Sequence, residues 1–190
     1  MWSDVYLIEI RKYKKRDYSS VCEICKKTAK RGHQTQVTCW MFLEYYLDSE
    51  PEHVFVAEDK GTVVGYIVVS LNSSLYSCQM KKKWIPKIQK KHWIYGLFSK
   101  ACLRISQSLD KEYSGGFHMN IKEEYQHQGL GRQLLDAMKY HLHAYQKSYL
   151  YCVTENRRTR GYGFYCHYGF QEIKTYIGGA KVLLYKINLK

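Results

Sequence analysis

No stretch of about eighteen consecutive apolar residues occurs anywhere in the 190-residue chain, so no membrane-spanning helix is expected. The start, Met1-Trp2-Ser3-Asp4, lacks the basic and apolar regions of a secretory signal. No internal repeat or low-complexity linker divides the sequence. It reads as one domain over residues 1–190, long enough for a real core. Acidic residues are scarce, 17 against 30 lysines and arginines, which leaves a net charge of +13. A positive field of that size favours anionic ligands without choosing among them. An even cysteine framework is lacking too: seven cysteines cannot all pair, and most lie in apolar-periodic segments. They read as small buried hydrophobes in a reducing, cytoplasmic setting. Cys22-Glu23-Ile24-Cys25 has no second pair at ligand spacing and falls in a predicted helix over about 17–30, so no metal is expected.

The most informative residues present are Gln126-His127-Gln128-Gly129-Leu130-Gly131-Arg132. Ahead of them, 117–121 reads as a strand. Behind them, Leu134, Leu135, Met138 and Leu142 recur at helical spacing, which predicts a helix from 132 to about 145 with one buried face. The first amides of a helix have no partner within it and lie at the positive end of its dipole. Glycines there let several N–H groups converge on an anion, usually a phosphate. The dinucleotide pattern G-x-G-x-x-G is incomplete, because Leu134 occupies the third position, and no G-K-[ST] follows. Spacing alone leaves an ordinary turn and a pyrophosphate cradle both open.

The flanking residues narrow the choice. Gln126-x-x-Gly129-x-Gly131, five residues after Ile121, resembles the acyl-CoA loop of the GNAT acyltransferase superfamily. Phe164-Tyr165-Cys166-His167-Tyr168-Gly169-Phe170 is similar to that family's F-Y-x-x-x-G-F closing motif. Ile8-Glu9-Ile10-Arg11 with Asp17 resembles its first strand and capped first helix, and residues 54–59 and 63–69 its second and third strands. The resemblance covers nearly the whole chain except about 72–113. It implies an α/β fold: a central, mostly antiparallel sheet with splayed fourth and fifth strands, flanked by helices. It also implies an N-acetyltransferase that uses acetyl-CoA as co-substrate and an amine as acceptor. The sequence leaves monomer and homodimer both open.

By the same resemblance, the strand backbone at Met119 and Ile121 would pair with the pantetheine arm, with Asn120 between them also counted as cofactor-binding. Gln126, His127, Gln128, Gly129, Leu130, Gly131 and Arg132 would hold the pyrophosphate. Asn156 resembles the asparagine that contacts the pantetheine arm, although it stands two residues farther from Tyr165 than the family pattern has it. Tyr165 matches the tyrosine that protonates the departing thiolate. The general base is harder to place. His118 stands three residues before Ile121, and strand alternation turns it away from the side where family bases stand. The positions on that side hold Phe117 and Gly115, which cannot take a proton. Glu155 is the candidate that remains, with Glu112 and a water chain as alternatives.

The rest of the chain orders itself around these motifs. A strand is predicted over 6–13, with Asp17 capping the helix after it, and a second helix over 36–47. Two strands form a hairpin across Lys60-Gly61. After the signature helix come a strand over 148–154, a helix over about 158–168 stopped by Gly169, and closing strands over 171–176 and 181–189 around Gly178-Gly179. The insertion at 72–113 holds six lysines in residues 81–91, followed by Trp93, Ile94, Leu97 and Phe98. It reads as a solvated helical face with its apolar side packed inward, in preference to a nucleic-acid or membrane-surface patch. No membrane partner is expected. A non-catalytic, acyl-CoA-responsive module that docks a protein or nucleic acid stands as the alternative to the enzyme.

Overall fold

The structure, a computed structural model, describes residues 8–30, 32–113 and 115–188. The leader residues 1–4, the first two residues of the strand predicted over 6–13, and residue 189 of the last one lie outside that set. Strand β1 (Glu9–Lys12) leads through a 3-10 turn into helix α1 (Tyr18–Lys27). Asp17 does not cap α1, contrary to expectation. Its backbone is helical, and its carboxylate accepts from the Lys14 amide at 2.8 Å and from two Arg11 nitrogens at 2.7 and 2.9 Å. The carboxylate is thereby spent on the turn before the helix and on β1. Burial pushes its pKa up, but Arg11 and the Lys14 amide outweigh that and hold it below the usual value.

The helix predicted over 36–47 is two helices, α2 (Gln36–Phe42) and α3 (Glu44–Ser49), broken at Leu43. Five successive residues, Leu43 to Leu47, are buried. One helix face can bury only every third or fourth position, so the chain turns to place all five. Strands β2 (Val54–Asp59) and β3 (Thr62–Ser70) follow as a hairpin whose corner, Lys60 and Gly61, has positive φ at both residues. That is the two-residue turn whose twist suits a hairpin.

Residues of the insertion form α4 (Ser73–Gln79), a π-helical stretch over Met80–Trp84, α5 (Ile85–Lys91) and the long α6 (Trp93–Leu109). Met80, Trp84, Ile85 and Ile88 are buried while Lys81, Lys82 and Lys83 face solvent. Strand β4 (Gly116–Ile121), helix α7 (Leu130–Ala144), strand β5 (Tyr149–Thr154), helix α8 (Arg160–Tyr168) and strands β6 (Gln171–Thr175) and β7 (Lys181–Lys186) complete the order. Gly169, at φ 118°, stops α8 as expected.

All seven strands form one sheet in the order β1-β2-β3-β4-β5-β7-β6. Its pairings are antiparallel except between β4 and β5, which run parallel and meet at a single pair, Gly116 with Tyr151. There the approach is so close that a Cβ on Gly116 would stand 2.6 Å from the Tyr151 hydroxyl. Beyond that pair the two strands part, which is the expected splay. On one face, α1, α3 and the π-helical stretch cover Val54, Val56, Tyr66 and Val68. On the other, α7 buries Leu130, Leu134, Leu135, Met138 and Leu142 against Phe117, Leu150 and Cys152. Each such side chain contributes about 1.5–3 kcal/mol by leaving water, which anchors the loop ahead of α7.

Candidate active site

The loop begins where β4 ends. The Gln126 amide nitrogen Nε2 donates to the Ile121 carbonyl at 3.0 Å, so the five-residue spacing between them is a closed hydrogen-bonded turn. His127 (φ 62°) and Gly129 (φ 78°) both take the left-handed conformation, and α7 starts directly after. The backbone amides of His127, Gln128, Gly129, Leu130 and Gly131 donate to no described residue. Arg132 differs: its amide donates to the Gly129 carbonyl at 3.1 Å, and its guanidinium lies over the Tyr168 ring. Five free donors at the positive end of a fifteen-residue helix make an anion site. A Cβ on Gly129 would meet nothing within 4 Å, so the space in front of the loop is open.

The same end of the molecule holds the strand gap. The Lys122 amide donates to Val64 of β3, and the Gly115 carbonyl accepts from Tyr151 of β5. Alternation along β4 then turns the amides of Met119 and Ile121 toward the gap, where β5 does not reach them. Asn120 is turned the other way. Its backbone faces β3 and its side chain donates to the Tyr66 hydroxyl at 2.7 Å, so it offers nothing to the gap, contrary to expectation.

Tyr165 comes to the gap from α8. Its ring is 8% exposed and packs edge-on to Phe117, with centroids 5.4 Å apart, and against Phe170. Its hydroxyl makes no hydrogen bond to any described residue. Burial holds its pKa well above the ordinary tyrosine value, so at neutral pH it keeps its proton. A protonated, unpaired hydroxyl in an apolar wall is a proton donor waiting for a partner.

The remaining expected residues are less engaged. Glu155, just past β5, is exposed and ion-paired with Lys30 beyond the end of α1. Asn156 Oδ1 accepts from the Arg158 amide at 2.8 Å, which makes it a turn residue. Behind that turn Arg157 grips Glu172 with two bonds, at 2.9 and 3.0 Å, and with Tyr162 holds its carboxyl down at about 2. Glu112 is exposed on the turn after α6. His118 faces Phe42 and Tyr46 on the α1–α3 side, away from Phe117 and Tyr165, and burial lowers its pKa to about 4. Sequence reasoning missed Thr154. Its hydroxyl, at the last residue of β5, is buried without a partner. The only signal for it was a polar residue closing an otherwise apolar strand.

The site fits an acyl-CoA: five unclaimed amides for a pyrophosphate, an open strand edge for an amide-bearing arm, and the unpaired hydroxyl of a largely buried tyrosine beside that edge. Comparison with known proteins agrees. Residues 50–172 match the acetyltransferase (GNAT) domain family. Among solved structures, the crystal structure of SsHAT superposes with a TM-score of 0.80 at 22% identity, covering 96% of this chain and 99% of that one. A PaiA N-acetyltransferase from Thermoplasma acidophilum, in complex with coenzyme A, superposes with a TM-score of 0.63 at 14% identity, covering 95% and 99%. A polyamine N-acetyltransferase of Drosophila melanogaster gives 0.66 at 12%, covering 95% and 100%. The chain belongs to the GNAT family of acetyltransferases, whose co-substrate is acetyl-CoA.

Proposed function

We propose that the protein moves an acetyl group from acetyl-CoA to a primary amine by direct attack within a ternary complex. The observation that carries this reading is the row of five free amides at the α7 N-terminus, opening onto the unpaired edge of β4. Bound acetyl-CoA supplies the activated acyl group. The amides from His127 to Gly131 hold the pyrophosphate, and the amides of Met119 and Ile121 fix the arm as an added strand would be fixed. Gln126 sets the loop against the end of β4. Tyr165 donates its proton to the departing sulfur. Glu155 is the chain's candidate for taking the proton of the amine, and breaking its pair with Lys30 frees it to do so. The polyamine N-acetyltransferase among the solved neighbours supports an amine acceptor, and the one in complex with coenzyme A supports the donor.

The test is detection of free thiol as acetyl-CoA is offered with a panel of primary amines, each product checked by mass spectrometry. At least one amine should release coenzyme A and appear acetylated. Acetyl-CoA binding without release by any amine would replace this reading with the non-catalytic module.

A further inference from the structure

Helix α6 is amphipathic in the wrong sense for the fold it belongs to. Its buried positions in the first half are Gly96 and Ser99, small residues, with Leu103 next along the same face. A Cβ on Gly96 would overlap the Gln89 side chain, so α5 and α6 cross at backbone contact there. Its large apolar residues point outward: Trp93 is 66% exposed, Ile94 and Leu97 each 51%, and Phe98 52%. Spacings of one, four and five place all four on one side of the helix, a continuous apolar face of a size that single scattered side chains do not make. The face is held rigidly. The Tyr95 hydroxyl bonds the His33 ring at 2.9 Å, and His92 stacks on Tyr95 at 4.2 Å.

The insertion itself carries charge of one sign. No aspartate or glutamate occurs between Asp59 and Asp110, a span that contains the whole of α4 to α6. Lys90 and Lys91 share a shallow depression with Trp93 and Ile94, and Lys100 lies one turn along α6. These three lysines are exposed and form no ion pair with any described residue. Lys83 and Lys87 are exposed too but engaged, over the rings of Trp84 and Trp40, and Lys83 is also ion-paired with Asp48.

The geometry points to an anionic lipid surface as the occupant of this face. An apolar ridge with tryptophan at its end and lysines at its margins is the pattern of a helix that lies in a membrane interface without crossing it. Apolar side chains enter the acyl boundary, and each lysine near an anionic leaflet adds about 1 kcal/mol. A second copy of the chain fits poorly, because two such faces brought together would place the unpaired Lys90, Lys91 and Lys100 of both copies in one contact with no carboxylate of the insertion to meet them. Nucleic acid would leave Ile94 and Leu97 without a use. The exposed row corrects the expectation that the insertion's apolar side packs inward: Met80, Trp84, Ile85 and Ile88 do so, but Trp93, Ile94, Leu97 and Phe98 do not. Lipid binding and acetyl transfer are read by separate assays, so the two readings fail independently.

The test is co-sedimentation of the full chain with vesicles of phosphatidylcholine alone and of equimolar phosphatidylcholine and phosphatidylserine. The protein should bind the second and not the first. Leu97→Asp with Phe98→Asp should weaken that binding about tenfold or more, with the unfolding temperature and acetyl-CoA affinity unchanged. Lys90→Glu with Lys91→Glu should weaken it too, and raised salt should mimic that change. Absence of binding to the anionic vesicles overturns the proposal. So does binding that only the lysine variants reduce, which is adsorption of a basic protein. Sedimentation velocity that finds a dimer dispersed by the Leu97–Phe98 variant would assign the face to a second copy instead.

Discussion

A Cβ at Gly131 would stand 2.9 Å from the edge of the Phe164 ring, whereas at Gly129 it would meet nothing within 4 Å. The two glycines of one motif therefore answer different demands. Gly131 lets α8 close on α7, and Gly129 supplies a left-handed turn that faces open space. A side chain at Gly129 would enter the open space ahead of the loop, whereas one at Gly131 would strike Phe164. Tyr165 differs from both, because what matters is one atom. Tyr165→Phe keeps the ring among Phe117, Phe164 and Phe170 and removes only the hydroxyl. Turnover should fall on the order of 100-fold while acetyl-CoA affinity, measured by calorimetry, stays nearly constant. Equal turnover in this variant would remove Tyr165 from the acid role.

Among the elements, the ones written in a single period were readable in advance. Helix α7 carries its five core residues at strict helical spacing, and the β2–β3 hairpin is marked by Lys60-Gly61 between two apolar runs. The break at Leu43 was not readable, since Trp40, Met41, Leu43, Tyr46 and Leu47 fit one helix as well as two. Only the tertiary demand to bury five neighbours in a row decides it. Asp17 misled for a similar reason: its local pattern is that of a cap, but Arg11 lies six residues away across a turn and takes the carboxylate. At the site, the loop and Tyr165 were readable from motif spacing. The engagement of Asn120 by Tyr66 and of Glu155 by Lys30 was not, because each partner is far away in sequence. The packing of α5 on α6 gives the test at this scale. Gly96→Val should cost about 1–3 kcal/mol in denaturant unfolding, since Gln89 blocks the added side chain. Acetyl-CoA affinity should not change, because the hairpin lies outside the strand gap.

For the molecule as a whole, loss of stability in acid follows from half-buried histidines held in their neutral form. His118 is held at about 4 by burial among Phe42 and Tyr46, and His141 at about 4 by burial, Lys12 and His53. A histidine whose folded pKa lies below its unfolded value of about 6.5 is protonated first in the unfolded chain. The stability it contributes is complete above about 6.5 and is lost as pH falls toward 4. For His118 the full loss is about 3 kcal/mol. The unfolding temperature should drop steadily across that window, and His118→Leu should flatten the drop. An unchanged slope in the variant would mean that His118 is already charged in the fold.

Everything proposed about catalysis depends on the free amides ahead of α7 receiving a pyrophosphate. The measurement that tests this most directly is a calorimetric titration with acetyl-CoA of the wild-type chain beside Gly129→Val, with the fold of each checked by circular dichroism. The wild type should bind at micromolar concentrations or below. The variant must either strain a left-handed position at about 1–2 kcal/mol or give up the loop's conformation, and it sets a side chain in the open space. Its affinity should therefore fall at least tenfold. Absence of wild-type binding at micromolar concentrations, or equal affinity in the folded variant, would contradict the account.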